Sequence, residues 1–89
     1  MMKIRLKKTF IKDLKKIPSE TRIQINALVF EEAPELGAIT EIRNIKKIKG
    51  HNHFYRVRFG QYRIGIEERK NEIVFYRALH RKDIYRNFP

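Results

Sequence analysis

The sequence predicts an α+β fold in which an N-terminal helical hairpin packs on one face of a small, antiparallel-rich β-sheet. Apolar residues recur at helical spacing between residues 10 and 30, whereas they alternate with polar residues in the runs 54–59 and 61–67. A further run, residues 72–79, is rich in β-branched and aromatic side chains and indicates a last strand. The predicted order is βααβββ with a short helical tail, and 89 residues suffice for one domain, residues 1–89.

A short strand and a first helix open the chain. In residues 3–7, Ile4 and Leu6 alternate with lysine and arginine, so one face is apolar and the other is wholly basic. Thr9 follows as a candidate N-cap of a helix. The apolar positions of this helix lie on one stripe, formed by Phe10, Ile11, Leu14 and Ile17. Pro18 is predicted to end it.

A second helix is predicted from Ser19, a second candidate N-cap, to the vicinity of Pro34. Glu20 lies in its first turn, where the positive end of the helix dipole favours an acidic residue. The apolar stripe continues through Ile23, Ala27 and Phe30 and is broadened by Ile25, Leu28 and Val29. Because few residues separate the two helices, we expect them to form an antiparallel hairpin that lays this stripe on the sheet.

Residues 35–53 allow two interpretations. Isoleucines recur at positions 39, 42, 45 and 48, a spacing that fits a short helix and the approach to a strand equally well. Gly50 and the polar sequence His51-Asn52-His53 then form a loop. Histidines bind metals, but two of them without a neighbouring carboxylate or cysteine indicate a solvated loop rather than a metal site.

A β-hairpin with a basic face is predicted at FYRVRFGQYR, residues 54–63. Side chains along a strand alternate between faces, and Gly60 supplies the turn, so Arg56, Arg58 and Arg63 are expected to share one surface. The opposite face is apolar and consists of Tyr55, Val57, Phe59, Tyr62, Ile64 and Ile66. Basic residues on a strand are often only a solvated face, but three clustered guanidiniums suit a bound phosphate.

The last strand leads into a short polar segment, residues 81–88, that is predicted to form one or two helical turns. Lys70-Asn71 is the turn that precedes the strand. Strand alternation raises a question about its far end. If Arg77 faces the arginine side, His80 faces away from it unless the chain turns or bulges between them.

The charge of the chain restricts its partners. The formal net charge is +11 and the isoelectric point is near 10.3, which favours a polyanion or a strongly acidic protein as partner. There is no cysteine, which excludes disulfides and thiolate zinc sites and fits a reducing compartment. No stretch is apolar for long enough to cross a bilayer, so we expect a cytoplasmic protein without a membrane partner.

Two segments give the chain a family resemblance. The hairpin YRVRFGQYRIGI and the terminal ALHRKDIY, in this order of elements, resemble the RelE/ParE superfamily of toxins from bacterial type II toxin-antitoxin systems. The resemblance implies a toxin that a cognate antitoxin protein neutralises by direct binding. RelE-branch members are metal-independent endoribonucleases that cut messenger RNA, usually in the ribosomal A site, whereas ParE-branch members poison DNA gyrase.

The resemblance also implies a set of site residues. The family's catalytic surface corresponds here to Arg56, Arg58, Arg63, His80, Arg81 and Tyr85, with a further RNA-binding set of Lys46, Lys47, Lys49, Arg77 and Lys82. His80 is the proton-transfer candidate, because an imidazole titrates near working pH, and Tyr85 could stack on a base or bond a phosphate. Several members have lysines at the positions of Arg56 and Arg58. Some use a glutamate base before the hairpin, where this chain offers lysines, so the general base stays open.

Three function classes follow from these observations. The first is a ribosome-associated endoribonuclease toxin that uses no metal or small-molecule cofactor. It would cut messenger RNA by attack of the RNA's own 2'-hydroxyl on the adjacent phosphate. The second is a gyrase-inhibiting toxin on the same fold, which would tolerate substitution of His80. The third is a noncatalytic nucleic-acid or ribosome-binding module, whose binding would weaken broadly with salt and which would cut no RNA.

Overall fold

Five strands form one mixed sheet in the computed structural model, which describes residues 1–89. They are β1 (Lys3–Leu6), β2 (Ile45–Lys47), β3 (Phe54–Phe59), β4 (Tyr62–Arg69) and β5 (Glu72–His80). Their order across the sheet is β1-β5-β4-β3-β2. β1 runs parallel to β5 and every other pair is antiparallel, which confirms the predicted α+β class and the antiparallel character of the sheet.

The helices lie before and after the hairpins of the sheet. They are α1 (Lys8–Leu14), α2 (Ser19–Ala27) and α3 (Arg81–Asn87). α2 continues without a break through a π-helical turn, Leu28–Glu32, and a 3-10 turn, Ala33–Glu35, so the helical segment ends next to Pro34 as predicted. The predicted helical tail is confirmed by α3. No helix is both long and apolar enough to span a bilayer.

Both predicted helix caps are wrong. α1 begins at Lys8, and its N-cap position is Lys7, whose extended backbone continues the pairing of β1 as its N–H donates to the carbonyl of Phe75 at 2.9 Å. The hydroxyl of Thr9 instead donates to the carbonyl of Tyr76 at 2.7 Å and ties α1 to β5. Ser19 is the first residue of α2, after Pro18 at the cap position. Tertiary hydrogen bonding therefore decides where α1 begins.

Residues 35–53 contain both structures that the isoleucine spacing allowed. A 3-10 turn covers Ile39–Glu41 and buries Ile39, and strand β2 then joins the edge of the sheet beside β3. The predicted order βααβββ lacks this strand. β2 has only three residues, too few for an alternation pattern to be visible in the sequence.

The main core lies between the sheet and the two N-terminal helices. The hairpin contributes the face that its alternation predicts: Tyr55, Val57, Ile64 and Ile66 are buried there. The helices contribute Phe10, Ile17, Ile25, Leu28 and Val29. The prediction that Ile23 and Phe30 belong to the buried stripe is wrong: both are exposed, and the residues that broadened the stripe are the ones that face the sheet. A smaller apolar layer covers the other face of the sheet, where α3 and the residue after it bury Ile84 and Phe88 beside Val74. The Phe88 ring lies directly on Gly65.

A β-bulge in β5 decides on which side of the sheet the side chains of residues 77–80 lie. Gly65 pairs with Arg77, whereas Ile66 pairs with Phe75, so Tyr76 is the extra residue. Phe75 belongs to the main core, and without the bulge Arg77 would point to the same side. The bulge moves Arg77 to the opposite side and leaves His80 paired with Tyr62, on the core side.

Candidate functional site

A basic groove of about 220 Å³ lies on the sheet face opposite the main core. Six residues line it: Asn44, Lys46, Arg56, Arg58, Arg63 and Tyr85. Strand pairing assembles most of this set, because Arg58 pairs with Arg63 across the β3–β4 hairpin and Lys46 on β2 pairs with Arg56. Paired residues project to the same face of a sheet. The predicted convergence of the three hairpin arginines is therefore confirmed.

Arg63 is held by the turn of the hairpin. Its Nη1 donates to the carbonyls of Gly60 at 2.8 Å and Tyr62 at 3.0 Å. Gly60 has a φ of 60°, a left-handed conformation that glycine adopts without the steric cost that a side chain would bring. The backbone conformation of the turn therefore also fixes the position of the Arg63 guanidinium in the groove.

The guanidinium of Arg63 is partly buried and lies among other positive charges. Partial burial lowers the pKa of this guanidinium below the ordinary value of an arginine, because burial disfavours the charged form. The phenol of Tyr85 acts in the opposite direction. Three like charges lower the pKa further, those of Arg58, Arg81 and Arg56. Four guanidiniums therefore interact at this face, and an arginine remains protonated even so.

Helix α3 brings Tyr85 into the groove and Arg81 close enough to act on the charge of Arg63. The guanidinium carbon of Arg56 lies 4.4 Å from the centre of the Tyr85 ring, a cation–π contact. Tyr85 is 68% exposed, so a large part of its ring remains open to a ligand. Arg81 and Tyr85 are four residues apart and share one face of the helix. Both belong to the set that the family resemblance implied.

Asn44 is a groove residue that the sequence analysis missed. It has a φ of 62°, and its carbonyl accepts the N–H of Arg58 at 3.2 Å. Asparagine tolerates the left-handed region better than most residues. Its presence at position 44 could therefore have predicted a turn before β2. Its place beside the arginines follows from the edge pairing of β2, which the sequence did not reveal.

The structure does not place His80 with the arginines. His80 pairs with Tyr62 on the core side of the sheet, and the two rings make an edge-to-face contact with centres 5.6 Å apart. Its Nδ1 accepts the backbone N–H of Lys82 at 3.1 Å, which makes His80 the N-cap of α3. The predicted proton-transfer role therefore lacks the geometry it requires, because the parity of β5 turns this side chain away from the groove.

Arg77 also lies outside the basic groove. Its Nε and Nη2 donate to the carboxylate of Asp13 at 2.7 and 3.2 Å, and that carboxylate accepts the N–H of Ala78 at 3.0 Å as well. The hydrogen bonds with Asp13 raise the pKa of the Arg77 guanidinium. We therefore correct the RNA-binding prediction for Arg77: its guanidinium is occupied by an ion pair between α1 and β5.

The predicted lysines separate into two groups. Lys46 lines the groove. Lys47 pairs with Tyr55 and so projects toward the other face of the sheet. Lys49, in the loop after β2, and Lys82, on α3, are exposed and do not line the groove. Of the five residues predicted to bind RNA, only Lys46 is brought to the arginines.

The chemistry available in the groove is that of an anion site. None of the lining residues is a carboxylate, so nothing inside it offsets the positive charge. Guanidiniums donate planar pairs of hydrogen bonds that match a phosphate, and an exposed aromatic ring beside them offers a surface on which a base can stack. A phosphodiester with an attached base is the ligand that these groups fit together.

Known proteins resemble this chain over almost its whole length. Residues 4–85 match the family model of the ParE toxin of the type II toxin-antitoxin system parDE. The chain is 47% identical over 89 residues to Toxin RelE3 of Methanocaldococcus jannaschii, with 99% of this chain and 100% of that protein covered.

Solved structures show the same relationship. The fold matches a chain of the RelB-RelE antitoxin-toxin complex from Methanococcus jannaschii with a TM-score of 0.81 and 44% identity, over 96% of this chain and 99% of that chain. It also matches a chain of the E. coli RelBE toxin-antitoxin complex with a TM-score of 0.68, over 90% and 96% of the two chains; at 18% identity that match shows the fold alone. On these grounds the chain belongs to the ParE/RelE family of type II toxin-antitoxin system toxins.

Proposed function

We propose that this toxin is an endoribonuclease, an mRNA interferase that cuts messenger RNA on the ribosome and so inhibits translation. The observation that carries the proposal is the convergence of Arg56, Arg58, Arg63 and Arg81 beside the exposed ring of Tyr85. The whole chain, residues 1–89, would act as one toxin domain in the cytoplasm, where its substrate is found. The similarity to proteins named RelE supports this reading.

RNA supplies the nucleophile for the proposed reaction. The 2'-oxygen attacks the adjacent phosphorus, an O–P bond forms, and the bond from phosphorus to the 5'-oxygen breaks. The products are a 2',3'-cyclic phosphate and a 5'-hydroxyl. Negative charge grows on the phosphoryl oxygens as the attack proceeds, and fixed guanidiniums stabilise that charge more than they stabilise the ground state. Arg63 is the best placed of them, because two carbonyls hold it in position.

Two groups in the groove can exchange protons. Arginine stays protonated and is a poor base, and an asparagine amide does not titrate, which leaves the amine of Lys46 and the hydroxyl of Tyr85. One proton must leave the 2'-hydroxyl and one must reach the departing 5'-oxygen. We assign these transfers to Lys46 and Tyr85 together, with electrostatic stabilisation by the guanidiniums as the larger contribution to the rate.

A toxin of this class requires restraint in the cell that makes it. We propose an antitoxin with an acidic or amphipathic segment that covers the basic groove and folds in part as it binds. The net charge of +11 favours such a partner. The protein with 44% identity was solved in complex with its antitoxin, which supports the same arrangement here.

The proposal is tested by mapping new messenger RNA 5' ends after the chain is induced in a bacterial host. Arg63→Ala should reduce cleavage by about 100-fold or more, as is typical when a fixed transition-state donor is lost. Arg86→Ala is the matched control, because Arg86 is an exposed arginine of α3 outside the groove. Cleavage that survives Arg63→Ala would contradict the assigned role of this residue.

A second candidate function is inhibition of DNA gyrase, since the matching family model is that of ParE. Growth arrest with gyrase-linked DNA breaks and no new RNA ends would assign the chain to that class. Absence of arrest with both the parent and the variants would leave a noncatalytic binding protein.

A further inference from the structure

Helix α3 is attached to the sheet through its first two backbone amides. The N–H of Arg81 donates to the carbonyl of Gln61, in the turn of the β3–β4 hairpin, at 2.8 Å. The N–H of Lys82 donates to Nδ1 of His80 at 3.1 Å. The first N–H groups of a helix have no partner within the helix, so these two bonds determine where α3 begins and how it leaves β5.

His80 has the geometry of an N-cap. Its backbone is non-helical, with φ −58° and ψ 147°, and its side chain accepts from the second helical residue. The Tyr62 ring packs edge-to-face against the imidazole and holds it in that orientation. The cap, the hairpin turn and the start of α3 therefore form one unit at the end of the sheet.

The position of α3 determines where one lining residue of the basic groove, Tyr85, and one neighbouring charge, Arg81, lie. Arg81 is the first residue of the helix and Tyr85 is one turn later, so a change in where the helix begins moves both side chains together. Tyr85 touches Arg56 through the face of its ring, and Arg81 is close enough to lower the pKa of Arg63. A loosened helix would remove these two side chains and leave the three hairpin arginines in place.

We propose that His80 is a positioning residue, which caps α3 and thereby holds Tyr85 in the groove and Arg81 next to it, and that it does not transfer a proton in the reaction. This inference rests on the proposed endoribonuclease function. It gives a different role to the residue whose type and place in the sequence had indicated a catalytic base.

The hydrogen bonding of the ring supports this assignment. A neutral imidazole has one nitrogen that donates and one that accepts. Since Nδ1 accepts from Lys82, the ring proton is on Nε2, and no lone pair remains to take a proton from a 2'-hydroxyl. The side chain also lies on the core side of the sheet with Tyr62, away from the guanidiniums.

Two amide variants separate capping from proton transfer. Asparagine is among the best N-cap residues, whereas glutamine, with the same functional group on a longer stem, is not. We expect His80→Asn to keep RNA cleavage within about threefold of the parent, and His80→Gln and His80→Ala to lower the single-turnover rate by about tenfold, the scale of a lost cap. A role as general base predicts that all three variants are equally impaired, and that result would overturn the proposal.

Amide hydrogen exchange at Lys82 provides a readout that does not depend on activity. The capped N–H should exchange slowly in the parent and in His80→Asn, and about tenfold faster in His80→Gln and His80→Ala. Unchanged exchange in His80→Gln would show that the cap does not hold the helix and would also overturn the proposal. If the parent cuts no RNA, the endoribonuclease function fails, while the exchange measurement still decides whether His80 positions α3.

Discussion

At the scale of single residues, Asp13 shows how a buried charge can organise an edge of the sheet. It is the one charged residue among the buried side chains, and its carboxylate accepts two hydrogen bonds from Arg77 and one from the backbone of Ala78. β1 pairs only with residues 72–75 of β5, so the remaining edge of β5 needs another partner. Asp13 on α1 provides one, because its carboxylate accepts the backbone N–H of Ala78 on that edge.

Removal of this carboxylate should destabilise the fold. We expect Asp13→Ala to lower the free energy of unfolding by about 3 kcal/mol, because it leaves the Arg77 charge and the Ala78 N–H without their acceptor. Urea denaturation followed by circular dichroism measures the change. Asp83→Ala, at an exposed position on α3, is the control and should change the free energy by less than about 0.5 kcal/mol. Equal stability of the two variants would refute the importance of the Asp13–Arg77 pair.

The ion pair with Asp13 explains why the function of Arg77 cannot be predicted from its residue type alone. Alternation and basic charge made Arg77 a candidate for RNA binding, yet its guanidinium is committed to a bidentate ion pair. The candidate partners of an arginine include every carboxylate in the chain. Only the packing of α1 against the edge of β5 selects Asp13, which is 64 residues away in sequence.

At the scale of elements, the contact between α3 and the sheet depends on a glycine. Gly65 is in the middle of β4, where a side chain would ordinarily strengthen a strand. A Cβ at this position would lie 2.5 Å from the ring of Phe88. Phe88 is buried against the rings of Phe54 and Tyr76 and holds the end of the chain on the sheet. The missing side chain at Gly65 is what allows this close approach.

A double-mutant cycle tests this contact. Gly65→Ala alone should lower the free energy of unfolding by about 1–3 kcal/mol, because the Phe88 ring must move out of its site. In a Phe88→Ala background the same change should cost less than about 0.5 kcal/mol, since the space is then empty and alanine is favoured over glycine in a strand. Urea denaturation of the four proteins gives the coupling energy. Additive effects would show that the two residues act independently.

At the scale of the whole molecule, the strong positive charge includes a cluster of guanidiniums where the proposed chemistry occurs. The chain has 21 lysines and arginines against 10 acidic residues, and no acidic residue lines the basic groove. Like charges held close together cost stability, a cost that a bound polyanion relieves. RNA bound in the groove should therefore release counterions, and its affinity should fall as salt increases.

The salt dependence of binding measures this contribution. For a single-stranded oligonucleotide that lacks 2'-hydroxyls, Arg58→Ala should reduce the magnitude of the slope of log K against log salt by about 0.7, the share of one phosphate contact. Fluorescence anisotropy between low and moderate salt gives both slopes. Lys70→Ala removes an equal charge from the exposed β4–β5 turn and should leave the slope unchanged. Equal losses in the two variants would indicate that net charge, and not the groove, controls binding.

The sequence by itself determined the fold class, the hairpin and the arginine face. Alternation of side chains in a strand is a local property, so the pattern around Gly60 predicted both the buried face and the surface shared by Arg56, Arg58 and Arg63. The short polar tail was likewise correctly predicted as helical. Local periodicity requires no knowledge of what the element packs against.

Only the tertiary structure decided the rest of the site. The three-residue strand β2 brings Lys46 and Asn44 to the arginines, and the bulge at Tyr76 leaves His80 paired with Tyr62 on the core side. His80 and Arg77 have side chains suited to chemistry, but one caps a helix and the other pairs with Asp13. These roles depend on partners distant in sequence or on the register of a neighbouring strand, and a residue's type and periodicity carry no information about either.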